Sequence, residues 1–88
     1  MRRRNFDDPV YKDWRLSVYK RDGFRCQMPG CKSKRQIQAH HIRKWSTASA
    51  LRYDIDNGIT LCRQCHDSIS KSEEYYEGLF IEIVRSKR

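Results

Sequence analysis

Asn57-Gly58-Ile59-Thr60-Leu61-Cys62-Arg63-Gln64-Cys65-His66 is the stretch from which the rest of the chain is best read. Ile59-Thr60-Leu61-Cys62 reads as a strand, with Asn57-Gly58 as a tight turn before it. Cys62 and Cys65 form a C-x₂-C pair, and His66 follows the second cysteine directly. Upstream, Cys26 and Cys31 form a C-x₄-C pair around Gln27-Met28-Pro29-Gly30, turn chemistry that brings two thiolates together. Two short-spaced pairs at this separation point to a tetrahedral zinc site of four thiolates. A zinc satisfied in this way leaves His40, His41 and His66 available for a second site.

The bulk properties agree with a small metal-stapled domain. Eighty-eight residues, 38% of them hydrophobic, fit one domain over 1–88 that is marginal on burial alone and needs a staple. The net charge of +8, from 19 Lys and Arg against 11 Asp and Glu, implies a polyanionic partner. An aromatic content of 11% argues against a disordered basic tail. Met1-Arg2-Arg3-Arg4 is basic, but no apolar run follows it, and no segment reaches membrane-spanning length. The expectation is a cytoplasmic protein with no membrane association, in which cysteines bind metal rather than form disulfides.

Outside the cysteine pairs, Asp8-Pro9 reads as a helix start. Val10, Tyr11, Trp14 and Val18 then recur at helical spacing through Arg21, with Gly23 as the stop and Trp14 as a core residue. Gln36 to Ile42 reads as a first strand, and Ser46 to Asp56 as a polar connection with a helical turn near Ala48-Leu51. A helix starts around Arg63 to His66. Ser70-Lys71-Ser72-Glu73 fits a capping box for a last helix that clusters Tyr76, Leu79, Phe80 and Ile83 on one face.

This order of cysteine pair, strand ending His40-His41-Ile42, loop with Asn57, strand ending in the second pair and helix resembles the HNH endonucleases. These belong to the ββα-metal nucleases, and the similarity is to their small four-cysteine type common in phages and bacteria. It covers Tyr19 to about Lys71, a nuclease core of about 19–72, with His41, Asn57 and His66 matching the name-giving H, N and H. The resemblance implies an α+β fold, a zinc-stapled ββα-metal core with flanking N- and C-terminal helices. It implies that His41 is the general base, that Asn57 holds the loop and orients His41, and that His40 and His66 bind a catalytic divalent ion. Cys26, Cys31, Cys62 and Cys65 would hold the structural zinc.

Each implied role has a physical basis. An imidazole with an ordinary pKa near ~6.5 can accept a proton around neutral pH. A divalent cation neutralises charge that develops on phosphate and on the leaving 3′ oxygen. Histidine ligands accept Mn, Ni, Co and Zn as well as Mg, so the choice of catalytic metal would be loose. Some relatives place a further histidine one turn after the helix histidine; here that position is Ser70, which leaves few protein ligands. Neighbouring residues of a regular strand point to opposite faces, so bringing His40 and His41 to one site requires a departure from the pleat there, and the resemblance implies one.

Arg43, Lys44 and Arg63 are the favoured phosphate-gripping residues, with Arg52 also near the site. The partner expected is double-stranded DNA, cleaved or nicked with low sequence specificity, because the chain holds no separate groove-reading element. A monomer is favoured, with the C-terminal helix as the seam of any dimer. The alternative is a non-catalytic zinc module that binds nucleic acid, or a nuclease subunit whose specificity comes from a partner protein in a phage-type DNA-processing complex. The module needs only the cysteines and the charge, and gives no reason for His41, Asn57 and His66 together.

Overall fold

Helix α1 (Pro9–Arg21) begins where the chain supplies both a cap and a fixed φ. The Asp8 carboxylate accepts from the Val10 amide at 2.9 Å, and Pro9 occupies the first turn. The helix ends at Asp22, and Gly23 takes a left-handed φ of 67°. The computed structural model describes residues 8–43 and 52–87. After α1 come β1 (Ile37–His41), a 3₁₀ turn (Ile55–Asn57), β2 (Gly58–Cys62), α2 (Arg63–Ile69) and α3 (Glu73–Arg85). The fold is α+β, as expected.

The two strands pair antiparallel from Ile37↔Cys62 to His41↔Gly58. The sheet divides the interior. On one side α1 packs Tyr11, Trp14 and Val18 with Ala39. On the other, Ile59 and Leu61 meet Ile69 of α2 and Phe80 and Val84 of α3. Every residue of β2 is buried. A strand in that position needs partners for the backbone groups on its outer edge, where no third strand lies among the described residues.

Two neighbouring side chains supply them. Asp22 accepts from the Thr60 amide at 2.9 Å, and Arg21 donates to the Gly58 carbonyl at 2.6 Å and the Ile55 carbonyl at 2.7 Å. The guanidinium and carboxylate also meet bidentately, at 2.9 and 3.0 Å. The Gln27 amide then donates to the Thr60 carbonyl at 2.9 Å, so the segment leading into the cysteine turn completes the edge.

Several expectations need correction. Asn57-Gly58 is not a two-residue turn: Asn57 closes the 3₁₀ turn and Gly58 is extended, with φ −124° and ψ 146°. Glycine is required there for space, since an added Cβ would lie 2.6 Å from both Trp14 Cζ2 and Val18 Cγ2. The Ser70–Glu73 capping box does not form; Ser72 is the N-cap of α3 and makes no side-chain cap bond. The buried face of α3 is set by Phe80 and Val84, while Leu79 is exposed, because α3 meets the sheet through Ile59 and Leu61. Val10 likewise faces outward, as α1 turns only Tyr11, Trp14 and Val18 inward. The Ala48–Leu51 turn lies outside the described residues.

Removing Asp22 takes the carboxylate from the half-buried Arg21 guanidinium and leaves the buried Thr60 amide without its acceptor. Asp22→Ala is therefore expected to cost about 3–5 kcal/mol, the range for breaking one partner of a buried ion pair. Asp13→Ala, at an exposed position of the same helix, should stay within about 0.5 kcal/mol of wild type. Denaturant unfolding of the two zinc-loaded variants compares them, and equal midpoints would show that the edge is not held by Asp22.

Candidate active site and metal centre

Two turns converge to build the thiol cluster. In the first, the Cys26 amide donates to Ser33 O at 2.7 Å and the Cys31 amide to Met28 O at 3.0 Å, with Gly30 at φ 86° allowing the reversal. In the second, Cys62 ends β2 and caps α2, accepting from the Cys65 amide at 3.4 Å. The four sulfurs lie within 4.8 Å of one another, and Cys31 and Cys62 Sγ are 3.8 Å apart. A zinc ion with Zn–S bonds of about 2.3 Å separates tetrahedral sulfurs by about 3.8 Å, so the cluster fits that ion. All four are free thiols.

Burial pushes the Cys26 and Cys65 thiols up from their ordinary range, while the Cys65 amide, donating to the Cys62 sulfur, holds Cys62 down. Metal entry must therefore expel protons, and acid must compete with it.

Around the histidines the pleat is regular. The ladder runs through His41 without a bulge, so the departure that would bring His40 and His41 to one face does not occur in β1. His40 points toward α2 and α3. Its ring centroid is 5.2 Å from that of His66 and 5.8 Å from that of Phe80, and its Nε2 is 3.9 Å from Glu73 Oε1. His41 points toward α1, stacked on Trp14 with centroids 4.1 Å apart and planes 12° from parallel. Its Nε2 is 2.8 Å from the Arg52 carbonyl oxygen. A carbonyl only accepts, so Nε2 carries the proton and, in the neutral ring, Nδ1 carries the lone pair.

Asn57 is buried and ties the end of β1 to the start of β2. Its Oδ1 accepts from the Arg43 amide at 2.9 Å and its Nδ2 donates to the Arg43 carbonyl at 3.3 Å. Its own carbonyl accepts from Ile42 at 2.9 Å. Arg43 places Nε 3.8 Å from Glu77, and Arg63 places Nε 3.8 Å from Asp67. Lys44 lies outside the described residues.

The structure thus brings the four cysteines together and His40 beside His66, and sets His41 on the opposite face of the strand. Sequence reasoning passed over two contributors. Glu73 comes from another helix, and the Arg52 contribution is a backbone carbonyl that no residue type announces.

For the thiol cluster, purified protein is expected to hold about one zinc per chain, worth on the order of 10 kcal/mol of apparent folding free energy. Strong chelation should unfold it. Zinc release should grow as pH falls, because protons reclaim the sulfurs. Elemental analysis with a pH series of circular dichroism measures both, and a metal-free protein with the same unfolding midpoint would refute the assignment.

No curated protein and no solved structure matches the chain. Residues 25–72 match the family described as HNH endonuclease. That segment is more than half of the chain and contains both cysteine pairs, His40, His41, Asn57 and His66. The chain belongs to the HNH endonuclease family.

Proposed function

We propose that this protein is a divalent-metal-dependent endonuclease that hydrolyses DNA phosphodiester bonds, nicking duplexes with little sequence preference. Family membership supports nuclease chemistry in general. The observation that carries the assignment of roles is the His41 ring, whose Nε2 meets the Arg52 carbonyl at 2.8 Å and so leaves Nδ1 as the basic nitrogen.

In this reading, His41 Nδ1 accepts a proton from the attacking water as its oxygen bonds to phosphorus and the bond to the 3′ oxygen breaks. Asn57 keeps the strand end that carries His41 in place through its bonds to Arg43. His40 and His66 are the protein ligands of the catalytic ion. Magnesium or manganese, or nickel, cobalt or zinc, held there would supply charge neutralisation at the phosphate. The ligands and the base lie on opposite faces of β1. A zinc held by the four cysteines would take no part in the reaction and would staple the first cysteine turn to β2 and α2.

Arg43, Lys44 and Arg63 contact phosphates. The ion pairs of Arg43 and Arg63 are long and solvent-accessible, at 3.8 Å each. Such pairs contribute little to stability, and a DNA phosphate can replace the carboxylate. The monomer is the working unit in this reading, and a partner protein could add specificity.

On supercoiled plasmid with Mg²⁺ or Mn²⁺, wild type should give open circles before linear DNA, and EDTA should stop it. His41→Ala should lose about 10²–10⁴-fold in rate with DNA binding intact, as for removal of a general base. Cleavage by His41→Ala at the wild-type rate would overturn the assignment of His41 as the base, and no cleavage by wild type with either metal would favour the non-catalytic module.

Binding should weaken by roughly 0.9 log unit per log unit of salt for each phosphate neutralised, and should differ little between unrelated duplexes. A salt titration by fluorescence anisotropy on two duplexes measures both. A shallow slope with a strong preference for one duplex would contradict phosphate-driven binding.

A further inference from the structure

We propose that Trp14 is a positioning residue for the general base: it fixes the plane of the His41 ring and thereby the direction of the Nδ1 lone pair. The proposal rests on the reading of His41 as the base. It extends the active site to α1, since Trp14 lies outside the matched residues 25–72.

The geometry is that of a clamp. A histidine ring on a strand has two side-chain rotations to restrain before its nitrogens point in a fixed direction. The Arg52 carbonyl, 2.8 Å from Nε2, holds one edge, and a pivot about that bond would turn the ring plane. The Trp14 indole, 4.1 Å away and within 12° of parallel, lies flat against the ring face and blocks the pivot. Two other aromatic contacts of α1 among the described residues are looser: Tyr11 meets Trp14 at 37° and 5.8 Å, and Tyr19 meets Phe24 at 44° and 6.0 Å.

The indole is itself held from two sides. Its Nε1 donates to the Asp54 carbonyl at 2.9 Å. Asp54 caps the 3₁₀ turn by accepting from the Asp56 amide at 2.9 Å. Trp14 therefore grips both the His41 ring and the segment that presents the Arg52 carbonyl. Below the indole, Gly58 leaves the space that any Cβ would take, since that atom would come within 2.6 Å of Cζ2. Apolar burial alone would ask only for volume at position 14. A flat ring set parallel to the imidazole, with its polar end tied to the neighbouring turn, answers a directional need.

The test uses the zinc-loaded full chain and the variants Trp14→Phe, Trp14→Leu and His41→Ala, with circular dichroism and zinc content confirming the fold. Trp14→Leu is expected to nick plasmid roughly 10–100-fold more slowly at saturating DNA, the scale of loss from misplaced reacting groups. Its affinity for DNA should be unchanged, and it should cause no further loss in the His41→Ala background. Trp14→Phe, which keeps a stacking ring, should recover most of the rate. Stacking on an indole face also shifts the His41 ring protons upfield in the NMR spectrum. That shift should be present in wild type and Trp14→Phe and absent in Trp14→Leu.

A folded Trp14→Leu that nicks at the wild-type rate, while His41→Ala does not, overturns the positioning role. So does an equal loss from Trp14→Leu in both backgrounds, which would mark a purely structural residue. Should Trp14→Leu fail to fold, an unshifted His41 resonance in wild type still overturns the proposal. Full activity of His41→Ala instead overturns the base assignment beneath it, and shows in that variant alone.

Discussion

The outer edge of β2 carries backbone groups at Gly58 and Thr60 that face no strand among the described residues, and Arg21 and Asp22 satisfy them. Much of the structure follows from this substitution. The two residues end α1, so bonding to β2 fixes where that helix lies across the sheet and where Trp14 arrives. Arg21 also reaches the Ile55 carbonyl, which locks the 3₁₀ turn. The Gln27 side chain donates to the carbonyls of Asp22 and Arg25 at 3.0 and 2.9 Å, which joins the same corner to the first cysteine turn. The net cost of burying this charged pair is offset because nearly every polar group it brings finds a partner.

The strand joins the thiol cluster to the histidine proposed as the base. Cys62, at one end, belongs to the thiol cluster, while Gly58, at the other, pairs with His41. Between them Thr60 is tied to the Asp22 carboxylate and the Gln27 backbone. Thiolates are soft ligands that hold zinc in a closed site, whereas imidazole with open positions suits an exchangeable catalytic ion. In the proposed reading the two donor sets differ in ligand type and not in distance along the chain, since His66, beside His40, directly follows Cys65 in α2.

Features set by near neighbours in the chain were legible. Asp8-Pro9 starts α1, Gly23 ends it, and the two cysteine spacings build the turns that gather the thiols. Strand alternation was legible too, and the pleat does send His40 and His41 to opposite faces. What depended on distant partners was not. Gly58 looked like a turn residue because Asn-Gly ordinarily is one, whereas its need for space arises from Trp14 and Val18, far back in the chain. Trp14 was correctly read as core from its helical spacing, but spacing carries no information on the ring that lies against it. Glu73 approaches His40 only because α3 folds back over the sheet, and no local pattern announces that return.

The enclosure of β2 also bears on how the protein breathes. A strand covered on both faces and along both edges has no loose margin from which to fray. The Thr60 carbonyl is held by the Gln27 amide beside the first cysteine turn, and freeing the Thr60 amide would require the end of α1 to lift from the sheet. Its exchange with solvent deuterium would then proceed through the same opening that melts the whole chain, and the protein would behave as one cooperative unit, alternately whole and undone.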